Sequence, residues 1–450
     1  FVGFVAGGGM LWLQYELAVP MAMLLLCLLF LPISRSGVIS VYAYLEQRLG
    51  LASRLLASAC FLFFRGVATG VTVYGVASVI GLVADISFTT SVLLLMGITV
   101  AYDALGGMRA VVISDVIQMV LLIAAVLLAL FWLADPLISN FASLEDRSQT
   151  LVNDWGLTSG NSYGFWPMLF GGLFLYVAYY GCDQSQAQRL LSAENEAQTR
   201  HILLLNGVLR FPLVFPYCLV GLGLAAYALE QPDFIAALPL TSDGAPNYNL
   251  LFPAFVTREF GAGLAGLAIV GLFSAAMSSI DSALNSLSAS TIEDFVARFT
   301  SLSERQLFLG SKLATVAWGS FAVFFSFQVE YIAPTVLEAI NKVGSMANGP
   351  LLALFTIAVF CPGLGQTAAI TGFLCGLLLN LGLWLFAPGV SWLWWNVFGL
   401  LAALGIAVLI AAATSRRQSL QKPAVPRRLA GQLGGMSLLI FAVCLALQTL

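Results

Sequence analysis

Apolar runs of about 20 residues follow one another along the chain, separated by short polar stretches, and each is long enough to cross a hydrocarbon core about 30 Å thick. None shows the alternating apolar and polar positions of a barrel strand. The pattern predicts helices near residues 10–33, 55–84, 90–105, 110–134, 163–181, 201–229, 260–297, 306–328, 333–361, 366–388, 391–414 and 431–450, with a stub at 1–8. The expected fold is an all-α polytopic membrane protein with about twelve helices, forming one transmembrane domain over 1–450. Two longer polar loops, 135–162 and 230–259, leave no room for a soluble catalytic domain.

Composition sharpens this picture. Of the 450 residues 60% are hydrophobic and 9% charged, against about 25% charged in an ordinary soluble domain. Fourteen of the 19 Lys and Arg residues, from Arg35 to Arg428, fall on one side of the predicted spans. Arg147 and Arg258 fall on the other side, and Arg65, Arg210 and Lys342 lie inside helices. By the positive-inside rule the richer side is cytoplasmic, as expected of a multi-pass protein of the plasma (inner) membrane in contact with the lipid bilayer. A net charge of −3 without a basic patch gives no support to a nucleic-acid partner. Seven cysteines without a CxxC pair, and the single His201, argue against disulfide frameworks and zinc sites. The chain opens at Phe1 inside an apolar run and stops in another at Leu450, so the front is expected to be missing.

Helix breakers mark candidate functional positions. Gly106-Gly107 is expected to join two helices, Gly171-Gly172 to interrupt helix 163–181, Pro212 and Pro216 to kink the next, and Gly349-Pro350 to break helix 333–361. Irregular backbone at membrane depth is tolerated where it lines a cavity or packs in protein. Ordinary bundle curvature accounts for the prolines equally well.

The stretch SAAMSSIDSALNS, 274–286, carries the chemistry. Ala275, Ser278, Ser279 and Ser282 recur at i, i+3, i+4 and i+7 and form one stripe, which Asn285 and Ser286 extend, with Asp281 at its edge. A second carboxylate, Asp115, lies with Gln118 on one face of helix 110–134. Serine rows also occur as interhelical hydrogen bonds between small residues. Two carboxylates within apolar helices call for a counter-charge, and a bound alkali cation among hard oxygen donors supplies it.

YDALGGMRAVVISDVIQ, GCDQSQAQRLLSAENEAQTR, AAMSSIDSALNSLSASTIEDF and INKVGSMANGPLLALF, in this order, resemble the sodium:solute symporter family. The resemblance implies a LeuT-type fold of inverted five-helix repeats, with Na+ as coupling ion and no organic cofactor. It also implies that an N-terminal helix and the first half of core helix one precede Phe1. Carried over by motif, one sodium site takes Ala275, Ser278 and Ser279, and a possible second takes Asp115, Ser278, Asp281 and Ser282. The solute pocket points to Tyr15, Arg65, Tyr176, Tyr180, Asn341 and Asn348, with Tyr15 as an outer aromatic gate. Packing or interface anchoring competes as an explanation for each. Arg65 has two readings, a bidentate clamp on a solute carboxylate or a side chain snorkelling toward the cytoplasm. The implied function is a sodium-coupled symporter importing a small organic solute, monocarboxylate, sugar or sialic-acid-like, by alternating access. A symporter-like sensor domain of a signalling protein is the alternative. One His and the lack of Ser-His-Asp or HExxH patterns argue against an enzyme.

Overall fold

The computed structural model describes residues 9–241, 244–329, 332, 335–414 and 427–448. Within these ranges the side chains of 102, 104–116, 118, 145, 146, 262, 274 and 275 lie outside the description. The predicted stub 1–8 and the side chains of Asp115 and Ala275 are therefore not among the described residues.

Helices α1 (Trp12–Arg35), α2 (Val41–Leu49), α3 (Leu51–Ala84) and α4 (Phe88–Asn140) form the first half of the bundle. Next come α5 (Pro167–Cys182), α6 (Gln184–Leu191), α7 (Glu196–Glu230), α8 (Leu251–Glu259) and α9 (Ala262–Ser290). The last five are α10 (Glu304–Ser326), α11 (Val336–Phe360), α12 (Gln366–Phe386), α13 (Trp394–Ala413) and α14 (Arg427–Gln448). Ten helical stretches among the described residues are long and apolar enough to cross a membrane, and Phe88–Ala101 and Pro167–Cys182 are shorter apolar segments. The protein is thus a multi-pass membrane protein whose spans follow the apolar runs. Large side chains such as Phe131, Phe324, Leu409 and Phe386 stay exposed on the outside of the bundle, the surface a bilayer covers.

Local chemistry sets the helix ends. Ser40 accepts a hydrogen bond from the Tyr42 N–H to start α2, and Ser303 with Gln306 forms a reciprocal capping box on α10. At the end of α9 the helix widens into a π turn, Thr291–Val296, which carries the fully buried Asp294. Arg54 Nε donates to Asp294 Oδ1 at 2.8 Å and Ser58 Oγ to Oδ2 at 2.6 Å, so α3 is pinned to this turn.

Two expected breaks are absent. The helical backbone of α4 continues across Gly106-Gly107, and α11 runs unbroken through Gly349-Pro350. Pro350 lacks the N–H that would serve the Met346 carbonyl four residues back. Asn380 Nδ2, fully buried on α12, donates to that carbonyl at 2.9 Å instead. The glycines here serve close approach, since a Cβ on Gly349 would collide with the Asn396 carbonyl and one on Gly376 with that of Gly399. The Gly171-Gly172 interruption is present as a change of winding, a π turn over Pro167–Gly171 giving way to regular α-helix. Pro212 and Pro216 are carried inside a continuous α7.

Candidate solute and cation sites

A cavity of about 280 Å3 lies between α1, α3, α5, α7 and α11. Its polar lining includes Tyr15, Arg65, Tyr176, Asn341 and Asn348, and its apolar walls include Phe61, Phe64, Leu175, Ile340 and Leu351. Five of the six residues expected at the solute pocket thus surround one space, although they come from four helices. The sixth, Tyr180, stands behind the wall and accepts a hydrogen bond from Arg210 Nη1 at 3.3 Å. Tyr15 is buried and packs its ring on Trp12 and Tyr176 at centroid distances of 4.8 and 4.9 Å.

One flank of the cavity is an ion pair between Arg210 on α7 and Glu16 on α1. Arg210 Nε donates to Glu16 Oε2 at 3.0 Å, Arg210 Nη2 donates to Tyr176 Oη at 3.1 Å, and the guanidinium lies 4.9 Å over the Tyr176 ring. Glu16 is fully buried, and a carboxylate there persists only with such a partner. Arg210, Trp12 and Leu337 also line a neighbouring, mostly apolar crevice of about 620 Å3.

Arg65 faces the cavity. Its side chain is 15% exposed, with Nη1 3.7 Å from Asp183 Oδ2, and its buried Nε has no hydrogen-bond partner. The guanidinium is held within the bundle beside Asp183, at the start of α6. The other oxygen of Asp183 caps α6, accepting from Ser185 N at 2.8 Å and Ser185 Oγ at 2.5 Å.

The hydroxyl row lies on α9. Ser278 is half-buried, Ser279 exposed, and Asp281 and Ser282 buried. Ser282 Oγ accepts from Arg189 Nη2 at 2.5 Å, and Ser286 Oγ bonds back to the Ser282 carbonyl at 2.8 Å. Asn285, on the same face as Asp281, donates through Nδ2 to Asp103 Oδ1 on α4 at 2.5 Å. Thr99, one turn from Asp103, is fully buried.

Sequence reasoning overlooked Glu16, Arg210, Asp183, Asp103 and Thr99 as site residues. The signal for the first two was present, an acid and a base inside apolar runs. Asp103 stood within the quoted YDALGG motif. Asp183 stood within the GCDQSQAQR motif, and in the fold it caps α6.

An all-helical bundle that buries charge pairs around a central polar cavity has the architecture of a membrane transporter. The sodium:solute symporter family model matches residues 1–376, and the chain belongs to that family. It is 30% identical over 368 residues to the sodium-dependent multivitamin transporter of Oryctolagus cuniculus, covering 78% of this chain and 55% of that protein. It is 30% identical over 359 residues to the sodium-coupled monocarboxylate transporter 2 of Danio rerio (78% and 56%). With the sodium/iodide cotransporter of Homo sapiens it shares 27% over 367 residues (79% and 56%). The chain therefore spans little more than half the length of these curated relatives.

Among solved structures, the substrate-bound outward-open state of a Na+-coupled sialic acid symporter superposes with a TM-score of 0.79 at 22% identity, covering 91% of this chain and 85% of that one. The inward-facing conformation of Mhp1 gives 0.52 at 13% (94% and 88%). These likenesses establish the LeuT-type fold.

Proposed function

We propose that the protein is a sodium-coupled symporter of the plasma membrane that imports a small organic carboxylate by alternating access. What carries the solute class is Arg65: a buried guanidinium at the edge of a cavity, with Nε unbonded and its only paired carboxylate 3.7 Å away. A carboxylate ligand meets Nε and a terminal nitrogen side-on, in the bidentate geometry that Arg favours. Asn341 and Asn348 orient the remainder of the solute, and the Phe and Leu walls receive an apolar tail. A sugar would leave hydroxyls against those walls unpaired. At about 280 Å3 the space is smaller than the roughly 300–1,000 Å3 pockets of drug-sized ligands, which favours a short acid over a nine-carbon sugar acid.

The coupling sodium belongs with Ala275, Ser278 and Ser279 on α9, neutral oxygen donors that hold an alkali ion weakly enough to release it. For a second ion the family resemblance offers Asp115, Ser278, Asp281 and Ser282. Sodium and solute stabilise the same outward-open state, so each raises the affinity of the other. No organic cofactor has a part in this cycle.

Uptake into proteoliposomes of the purified protein tests the reading, with labelled propionate, pyruvate, benzoate, benzamide, glucose and sialic acid under an inward sodium or matched potassium gradient. The carboxylates alone are expected to accumulate, and with sodium alone. Arg65→Gln is expected to cut that uptake about 100-fold, for the loss of roughly 3 kcal/mol of charge-assisted bonding. Equal uptake under potassium would refute coupling, and sodium-driven uptake of glucose but not benzoate would refute the solute class.

A further inference from the structure

Asp103 on α4 has no place in the cycle just described, yet it is a carboxylate buried to 7% exposure in a membrane bundle. Its Oδ1 accepts from the neutral amide of Asn285, while its Oδ2 is buried with no hydrogen-bond partner. Among the described residues no Lys or Arg pairs with it. One turn earlier on the same face of α4, Thr99 has zero exposure and a hydroxyl that likewise makes no hydrogen bond. Buried polar atoms are otherwise almost always satisfied, and a buried ionised carboxylate requires a positive partner. Two unsatisfied oxygens one helical turn apart, facing the amide of a third residue on another helix, form the donor set of a hard monovalent cation.

We propose that Thr99, Asp103 and Asn285 form a sodium site between α4 and α9. The Asn285 amide, now donating to Asp103, turns its oxygen inward when the ion binds, and the ion neutralises the carboxylate. Ser282 Oγ already accepts from the Arg189 guanidinium, whereas the Thr99 hydroxyl and Asp103 Oδ2 have no hydrogen-bond partner. The site rests on the symporter reading, because it assigns one of the ions that drive the cycle. It joins α4 and α9, which pack against each other, so an ion bound at this point ties the two helices together.

The test is sodium titration of the full-length protein, without solute, followed by thermal stabilisation in sodium chloride against choline chloride, and repeated with Asp103→Asn and Thr99→Val. Both substitutions preserve side-chain shape, so folding is retained and can be checked by the melting transition in choline. Sodium-dependent benzoate uptake is measured on the same preparations. The expected result is a lower Hill slope for sodium and at least a tenfold rise in its half-saturating concentration in both variants. Sodium titrations indistinguishable from wild type in both folded variants would overturn the site and leave the symporter reading standing. A shift in the pH dependence of Asp103→Asn without a change in its sodium dependence would overturn it in favour of a proton. Loss of any sodium response in the wild-type protein would overturn the coupling reading and this site together.

Discussion

Glu16 and Arg210, 194 residues apart in sequence, meet at 3.0 Å on the flank of the central cavity, with Tyr176 and Tyr180 hydrogen-bonded to the same guanidinium. The pair ties α1 to α7 and α5 and compensates the charge of Glu16, whose side chain is fully buried. Arg210→Met removes the cation and strands a fully buried carboxylate, which is expected to cost about 3–5 kcal/mol. Adding Glu16→Gln to that variant is expected to restore a large part of the loss, because the stranded charge is gone. Denaturant unfolding in mixed micelles of the two single variants and the double gives the coupling. Additive losses would show that the two residues act independently.

Asp294 sits in the π turn at the end of α9 and holds Arg54 and Ser58 of α3. Asp294→Ala leaves the guanidinium of Arg54 with Glu46 as its nearest remaining carboxylate, at 2.9 Å. Loss of a buried partner is expected to cost about 3 kcal/mol or more and to loosen the α3–α9 contact. Hydrogen exchange of the Thr291–Val296 turn should rise by orders of magnitude in that variant and remain low in Ser58→Ala. Unchanged exchange in Asp294→Ala would show that the turn is held by packing alone.

The Met346 carbonyl, freed by Pro350 and served by Asn380, makes a self-contained test. Asn380→Leu leaves a buried carbonyl unpaired and is expected to cost about 1–3 kcal/mol. With Pro350→Ala as background, the helix supplies its own N–H to Met346, and the same Asn380→Leu change should cost clearly less. Equal costs in the two backgrounds would contradict the assigned role.

Outside the apolar spans, Asp154 organises the turn over residues 154–161. Its Oδ1 accepts from the Gly156 N–H at 2.7 Å and from Ser159 Oγ at 3.1 Å, and its Oδ2 from Asn161 Nδ2 at 3.2 Å. The Gly156 bond, before the others, holds the carboxyl below its usual range. A depressed value means that the stabilisation is fully present above the unfolded pKa of about 3.9 and is lost as pH falls through the folded value. Protease resistance of residues 150–164 should therefore be flat from neutral pH down to about 4 and decline below it. In Asp154→Asn the acid decline should vanish. A loss of resistance already complete at about pH 5 would point to another group.

Much of this bundle was legible before any coordinates, for a physical reason. In a bilayer every backbone group must be satisfied within its own helix, so the apolar runs are the spans, and the bounds of α3, α10, α12 and α13 fall within a few residues of the hydropathy pattern. Tyr15, Arg65, Tyr176, Asn341 and Asn348 were selected as polar groups on helices the family resemblance places at the pocket, and they converge on one cavity. Pairing was not legible. Nothing local tells Glu16 that its cation is Arg210, or Arg65 that its carboxylate is Asp183, because those contacts depend on how helices distant in sequence are stacked. The expected break at Gly349-Pro350 failed for the same reason: the residue that repairs the helix, Asn380, lies on another element.

Sodium-coupled binding is tested most directly by equilibrium binding of labelled benzoate to the purified full-length protein over a range of sodium concentrations, at constant ionic strength held with choline. The benzoate Kd is expected to fall by about 5–150-fold as sodium rises, and the sodium Kd to fall by the same factor when benzoate is saturating. A benzoate Kd that is the same in sodium and in choline would contradict coupling through a shared conformation.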